Sequence, residues 1–221
     1  MIKQTIFPKI KRVEINKKYQ ITEKLDGSNL GIARIGYNLY FCQRNTIFGT
    51  YEIYDNKNVL YKNLEPWIIE NKETLLEVLN DNTIIFGEWL GMGHIKYSNF
   101  KNNFNMFAKA KINYDIEAYD GDSDELSLKT TDLNFNIKEL KYAFKDETIP
   151  NFISLVPIVD NNLELINKQT LDELYNTYSE SQDRTIEGFV IVDESEPMFV
   201  RKYVRCKNGV VKEHFQWENI K

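Results

Sequence analysis

Lys24 and Asp26 stand two residues apart in Glu23-Lys24-Leu25-Asp26-Gly27-Ser28-Asn29, directly after an apolar-rich run. In an extended segment, residues two apart point to the same side, so the amine and the carboxylate share a face. A lysine whose pKa is lowered by burial and neighbouring cations becomes a nucleophile. The glycine permits a left-handed or otherwise crowded backbone close to a ligand. The same residues also make an ordinary hairpin turn with a solvated lysine, since Asp-Gly is a common turn dipeptide. Two further carboxylates sit beside glycines, Glu88 in Phe86-Gly87-Glu88 and Glu187 in Glu187-Gly188-Phe189-Val190-Ile191. As isolated residues they read equally well as strand-edge glutamates in water. Arg44, in Gln43-Arg44-Asn45, fits either a phosphate contact or a surface cation.

These residues need elements to hold them. Tyr19–Lys24, Leu30–Ile35 and Leu39–Gln43 read as strands separated by turn residues. Pro66–Leu79 has helical spacing, and Thr83–Leu90 is a β run. Alternation over Ile112–Ala118 predicts a half-buried strand, and Asp120–Glu125 an acidic loop. A short helix is expected over Ile137–Phe144 and a strand over Ile153–Val159. Thr170 with Glu173 fits a capping box that opens a helix through about Tyr178. Two strands close the pattern, Gly188–Val192 and Met198–Cys206. The class is β-rich α+β, with antiparallel pairs and one domain over residues 1–221.

Composition narrows the function. The 221 residues carry 28 Lys plus Arg against 33 Asp plus Glu, a net charge of −5, which excludes a bulk electrostatic grip on nucleic acid but not a local basic groove. Cys42 and Cys206 form no C-x-x-C pair, and His94 and His214 are too few for a His-based metal site. No apolar run is long enough to span a membrane, and the first residues lack a signal-peptide core. A cytoplasmic or other reducing intracellular compartment is expected, and a viral or phage origin is left open.

Taken in order, the motifs resemble those of the covalent nucleotidyltransferases, the superfamily of ATP-dependent polynucleotide ligases and mRNA capping enzymes. Lys24-Leu25-Asp26-Gly27 is similar to motif I, K-x-D-G. Arg44 resembles the strand-end arginine that RNA ligases place after it. Phe86-Gly87-Glu88 resembles motif III, Asn113–Asp120 the aromatic-rich motif IIIa, and Glu187-Gly188-Phe189-Val190 motif IV, E-G-x-V. The steps from Lys24 to Arg44 and to Glu88 resemble the RNA ligase 2 family in particular. The likeness spans about residues 19–208.

The resemblance implies an ATP-grasp-like nucleotidyltransferase domain with antiparallel sheets around an ATP cleft. It implies ATP and Mg²⁺ (or Mn²⁺) as cofactors and RNA ends or a nicked duplex as partner, with no membrane. Lys24 becomes the nucleophile that accepts AMP. Glu23, Asp26, Asn29, Arg44, Glu88, Tyr114 and Ile116 become nucleotide-binding candidates, and Glu187 with Asp26, directly or through water, the metal candidates. Motif V, K-x-K in the family, fits two registers here. Arg205-Cys206-Lys207 replaces it in one, and Lys202 is the functional lysine in the other. Alternation puts Arg201, Tyr203, Arg205 and Lys207 on one face, and Val200, Lys202, Val204 and Cys206 on the other. Since the second face looks apolar, the first register is preferred. With Lys221 following soon after Lys207, no C-terminal OB-fold is expected. The expected function is an ATP-dependent RNA ligase acting through lysyl-AMP. The alternatives are a minimal ATP-dependent DNA ligase and an inactive module that binds nucleic-acid ends. A separate substrate-binding protein or domain is left open.

Overall fold

The computed structural model describes residues 18–43, 46–50, 59–116, 133–142, 149–163, 166–193 and 200–211. Four strands come first among the described residues: β1 (Tyr19–Lys24), β2 (Ser28–Ile35), β3 (Asn38–Gln43) and β4 (Thr46–Thr50). Helix α1 (Leu64–Val78) leads to β5 (Thr83–Trp89), β6 (Phe104–Ile116) and β7 (Leu133–Tyr142). The short β8 (Ser154–Leu155) and β9 (Ile158–Leu163) precede α2 (Lys168–Ser181). Last come β10 (Gly188–Asp193), β11 (Val200–Val204), β12 (Cys206–Lys207) and β13 (Val210–Val211).

The architecture is mixed α and β on mostly antiparallel sheets. The large sheet runs β4-β3-β2-β5-β6-β7, with β8 joined in parallel to β6. A second sheet runs β11-β10-β1-β9, and β12 pairs β13 separately. α1 covers one face of the large sheet because Leu64, Ile68 and Leu75 form a single apolar stripe. They pack with Leu30, Ile32, Ile85, Trp89 and Phe104. The opposite face buries Ala33, Tyr40, Cys42, Ile84, Ala110 and Ile112. α2 covers the second sheet through Leu171 and Tyr175, against Ile21, Phe189, Ile191 and Tyr203.

Four expectations need correction. Residues 137–142 belong to strand β7, not a helix, because β6 supplies a full ladder of partners from Ile116↔Leu133 to Ala108↔Tyr142. The remainder of that segment, and the acidic loop Asp120–Glu125, lie outside the described residues. The α2 N-cap is Asn167, whose Oδ1 accepts from Thr170 N at 2.9 Å; Thr170 is the third residue of the helix, not its cap. The run 153–159 splits at Val156-Pro157, whose N–H and carbonyl bond to Met106 O and Glu23 N, tying it to both sheets. The strand expected through Cys206 stops at Val204, and Cys206 belongs to β12; between them the N–H groups of Arg205 and Cys206 both donate to Glu187 O at 3.0 Å.

Candidate active site

β1 ends at Lys24 and β10 begins at Gly188, and the two residues are direct partners. Glu187 therefore arrives beside Lys24, and Nζ lies 2.5 Å from Glu187 Oε2. Their side chains are 25% and 16% exposed, so water screens the pair only in part. Burial pushes the Glu187 carboxyl above its ordinary value of 4.5, Lys24 pulls it back, and the charges of Asp26 and Lys202 are also felt there. Gly188 makes this arrangement possible. Its φ is 154°, and a Cβ at that position would lie 1.9 Å from Tyr203 O.

The motif I turn is crowded by the protein itself. A Cβ on Gly27 would lie 2.8 Å from Trp89 O, where β2 pairs with the end of β5. Asp26 is the staple of this turn. Its Oδ2 accepts from His94 N at 2.6 Å and Ile95 N at 3.0 Å, and its own N–H donates to Tyr97 Oη at 2.6 Å. The loop between β5 and β6 is thereby fixed onto the residues after Lys24.

Glu88 shares a cross-strand row with Asn29 and Asn105. Partners in such a row point to one face. Tyr61 closes it from behind: its hydroxyl donates to Asn29 O at 2.7 Å, and burial together with the Glu88 charge pushes that hydroxyl up to about 12. Asn105 is fully buried, with Nδ2 bonded to the carbonyl of Asn102 and Oδ1 without a hydrogen-bond partner.

Several candidates lie elsewhere. Glu23 turns away from Lys24, as adjacent strand residues must. Its carboxylate is held by Arg184 and accepts from Tyr178 Oη at 3.0 Å, so it is engaged within the core and not offered to a nucleotide. Tyr114 and Ile116 pair with Phe135 and Leu133 at the far end of β6, roughly 30 Å along the strand from Asn105. They do not reach the Glu88 row. Arg44 lies outside the described residues.

The structure does not bring Arg205 together with Lys24, as the preferred motif V register expects. Glu23, Phe189 and Tyr203 form one cross-strand row, and Tyr203 stacks on Phe189 with centroids 5.7 Å apart. That row faces α2. Arg205 follows it: Nη1 donates to Asp172 Oδ1 at 3.0 Å, and the guanidinium lies 5.0 Å over the Tyr175 ring. The other face carries Lys24 opposite Gly188 and Val204, and Thr22 opposite Val190 and Lys202. Lys202 thus shares the Lys24 face. The valines misled because an aromatic residue, Tyr203, marks the core side. Lys207 is exposed on β12, whose turn at Gly209 abuts His94.

A model of the RNA ligase family matches residues 17–208, nearly all of this arrangement. The chain belongs to the RNA ligase family. No curated protein matches it significantly. Among solved structures it is similar to the apo form of a lysine-to-alanine mutant of a Naegleria gruberi RNA ligase, at 19% identity and a TM-score of 0.47. It is also similar to the Naegleria gruberi RNA ligase with PPi, at 19% identity and a TM-score of 0.44. Each likeness covers 86% of this chain and 50% of the other, so the chain spans half the length of those ligases.

In this RNA ligase family member, three residues that the motif reading passed over shape the site. Arg184, Tyr178 and Tyr97 surround Glu23 and Asp26, with Arg184 stacked 5.1 Å over Tyr97 and 5.4 Å over Phe100. One signal was available. A glutamate next to Lys24 on a strand must face the core side, where it requires a cation, and Arg184 is the arginine just before motif IV.

Proposed function

We propose that the chain is the adenylyltransferase unit of an ATP-dependent RNA ligase. The Lys24 amine attacks the α-phosphorus of ATP, a P–N bond forms, the bond to pyrophosphate breaks, and the amine proton passes to solvent. An RNA 5′-phosphate oxygen then displaces Lys24 to give a 5′-adenylylated end. A 3′-hydroxyl attacks that end, closing the phosphodiester and releasing AMP. The observation that carries this reading is the Lys24–Glu187 ion pair, which joins motifs I and IV. It holds the amine at one place at the end of β1, and transfer of this kind demands positioning and charge neutralisation above all.

Placement supports the roles given to the other residues. Glu88 and Asn29 are assigned to the nucleoside, and Lys202 to the triphosphate, because each stands on a row beside the Lys24 strand or the turn after it. Asp26 keeps the turn closed, with Oδ2 already accepting two N–H groups. Magnesium fits a modest donor set here. Among the described residues no cluster of three acidic or thiol or imidazole ligands exists. Mg²⁺ is commonly held by one or two carboxylates together with substrate phosphates. Glu187, with Asp26 nearby, would hold it, and the ion would supply charge neutralisation at the phosphates.

The test is intact mass after incubation with ATP and Mg²⁺. Wild type gains one AMP, stable to base and labile to acid, and Lys24→Ala gains none. An unmodified wild type across several metals and pH values overturns the proposal. Nicked duplexes of RNA and DNA then separate the two polynucleotide classes.

A further inference from the structure

Asn105 holds an unpaired acceptor in the row that also carries Glu88 and Asn29. Its side chain is fully buried. Nδ2 donates to Asn102 O at 3.0 Å and to Asn103 O at 3.4 Å, and Asn103 O also takes the Leu90 N–H at 2.8 Å. Two carbonyls at one end of the amide require its nitrogen there, so the oxygen is the end left over. Among the described residues Oδ1 meets no donor. Tethering the segment before β6 accounts for Nδ2. It does not account for a buried carbonyl, which is costly to leave without a partner.

The surroundings of this row narrow what could supply the donor. Asn29 on β2, Glu88 on β5 and Asn105 on β6 are successive cross-strand partners, so they share a face. Phe86 stands two residues before Glu88 on that same face and is half-buried, which sets an apolar shelf beside the polar row. Two consecutive residues then join β6 to the end of β1. The Val156 N–H donates to Met106 O at 3.0 Å, and Pro157 O accepts from Glu23 N at 2.9 Å. Asn105 adjoins Met106 in the chain as Lys24 adjoins Glu23, so both stand at this junction of the two sheets.

We infer that Asn105 Oδ1 accepts the exocyclic amine of adenine and so selects ATP over GTP. The inference rests on the adenylyltransferase reading. A flat ring with a donor edge suits an apolar shelf beside an open acceptor, whereas a ribose has no aromatic face to lay on Phe86. Adenine carries an amine donor where guanine carries a carbonyl oxygen. Two carbonyl oxygens set against each other are both left unpaired, so the atom that accepts adenine rejects guanine. Since Oδ1 is enclosed, seating the base shifts the side chains around it.

The test is calorimetric binding and single-turnover transfer to Lys24, with ATP, GTP and purine riboside triphosphate, which lacks only the exocyclic amine of ATP. Wild type should prefer ATP over that analogue by about 10–10²-fold, the scale of one buried hydrogen bond left unmade, and should disfavour GTP at least as strongly. Asn105→Leu, close in volume and without an acceptor, should treat ATP and the analogue alike to within about 3-fold. Its melting temperature checks folding. The wild-type comparison changes only the ligand, so it decides the question even where the variant does not fold. A wild type indifferent to the amine overturns the inference, as does a folded Asn105→Leu that keeps the full preference. A variant that stops discriminating against 2′-deoxy-ATP, yet still discriminates against the amine-free analogue, overturns it in favour of the ribose. A wild type that binds ATP over the analogue through Asn105 but transfers no AMP supports the role of Asn105 and overturns the adenylyltransferase reading instead.

Discussion

Arg184 forks onto Glu23, the residue immediately before Lys24, with Nη1–Oε1 at 2.6 Å and Nη2–Oε2 at 2.7 Å. The Glu23 side chain is wholly enclosed and that of Arg184 is 13% exposed. The pair lies under the β1–β10 sheet on the α2 side, while Lys24 points to the other side. A two-pronged arginine fixes the register of its partner as well as neutralising it. Through Tyr97 the same guanidinium touches the loop that Asp26 staples. The end of β1 is thus braced from behind.

Removing one member of that brace leaves a buried charge. Arg184→Ala should lower stability by about 3–5 kcal/mol, read from urea unfolding. The Glu23→Gln/Arg184→Met double variant should regain part of the loss, since Gln still accepts from Tyr178 and no charge is stranded. A double variant as unstable as the single one would show that the brace acts through shape and not charge.

Motif V is decided by kinetics. Lys202→Met keeps the apolar stem and should slow single-turnover AMP transfer by about 10²-fold, the scale of a lost electrostatic donor. Arg205→Ala should leave transfer within a few-fold and lower stability, because its charge is spent on Asp172. Active Lys202→Met beside inactive, folded Arg205→Ala would reverse the assignment.

Glu187 should matter beyond its charge. Glu187→Ala should cripple AMP transfer, whereas Glu65→Ala, an exposed carboxylate on α1, should not. Because only a neutral amine attacks, the rate should rise with pH, and EDTA should abolish it. Burial raises the Glu187 carboxyl above an ordinary glutamate, so acidification loosens the ion pair at a higher pH than it would for an exposed glutamate. Stopped time courses from acid to alkaline pH measure this; equal tolerance of both alanine variants would remove Glu187 from the site.

Acid stability should depend on Asp172. Its carboxyl lies below the ordinary 3.8, held there first by the hydrogen bond from Lys168 and then by that from Tyr203. A lowered folded pKa gives stability that is complete above the unfolded value and lost as pH falls through the folded one. Wild type should therefore lose stability progressively below pH 3.8. Asp172→Asn should cost about 1.5–3 kcal/mol at neutral pH and lose less in that acid window, read from denaturant midpoints.

Much of this was legible in the sequence because its signals are local. Alternation and turn residues located β1, β2, β3 and β5 within two residues, and the ordered K-x-D-G, F-G-E and E-G-F-V strings marked Lys24, Glu88 and Glu187. The misreadings were judgements that needed a partner. Ile137–Tyr142 carries no decisive period of its own and became a strand because β6 lies beside it with free ladder positions. Asn167 outcompeted Thr170 as a cap because its carboxamide was placed to accept the Thr170 N–H. Alternation correctly separated Lys202 from Arg205, but period alone does not say which face is inside. That was decided by α2, whose Tyr175 and Tyr178 take Phe189 and Tyr203 and leave Lys202 on the side of Lys24. Local sequence sets which residues can share a face. Only packing against another element settles which face meets the core and which is left for chemistry.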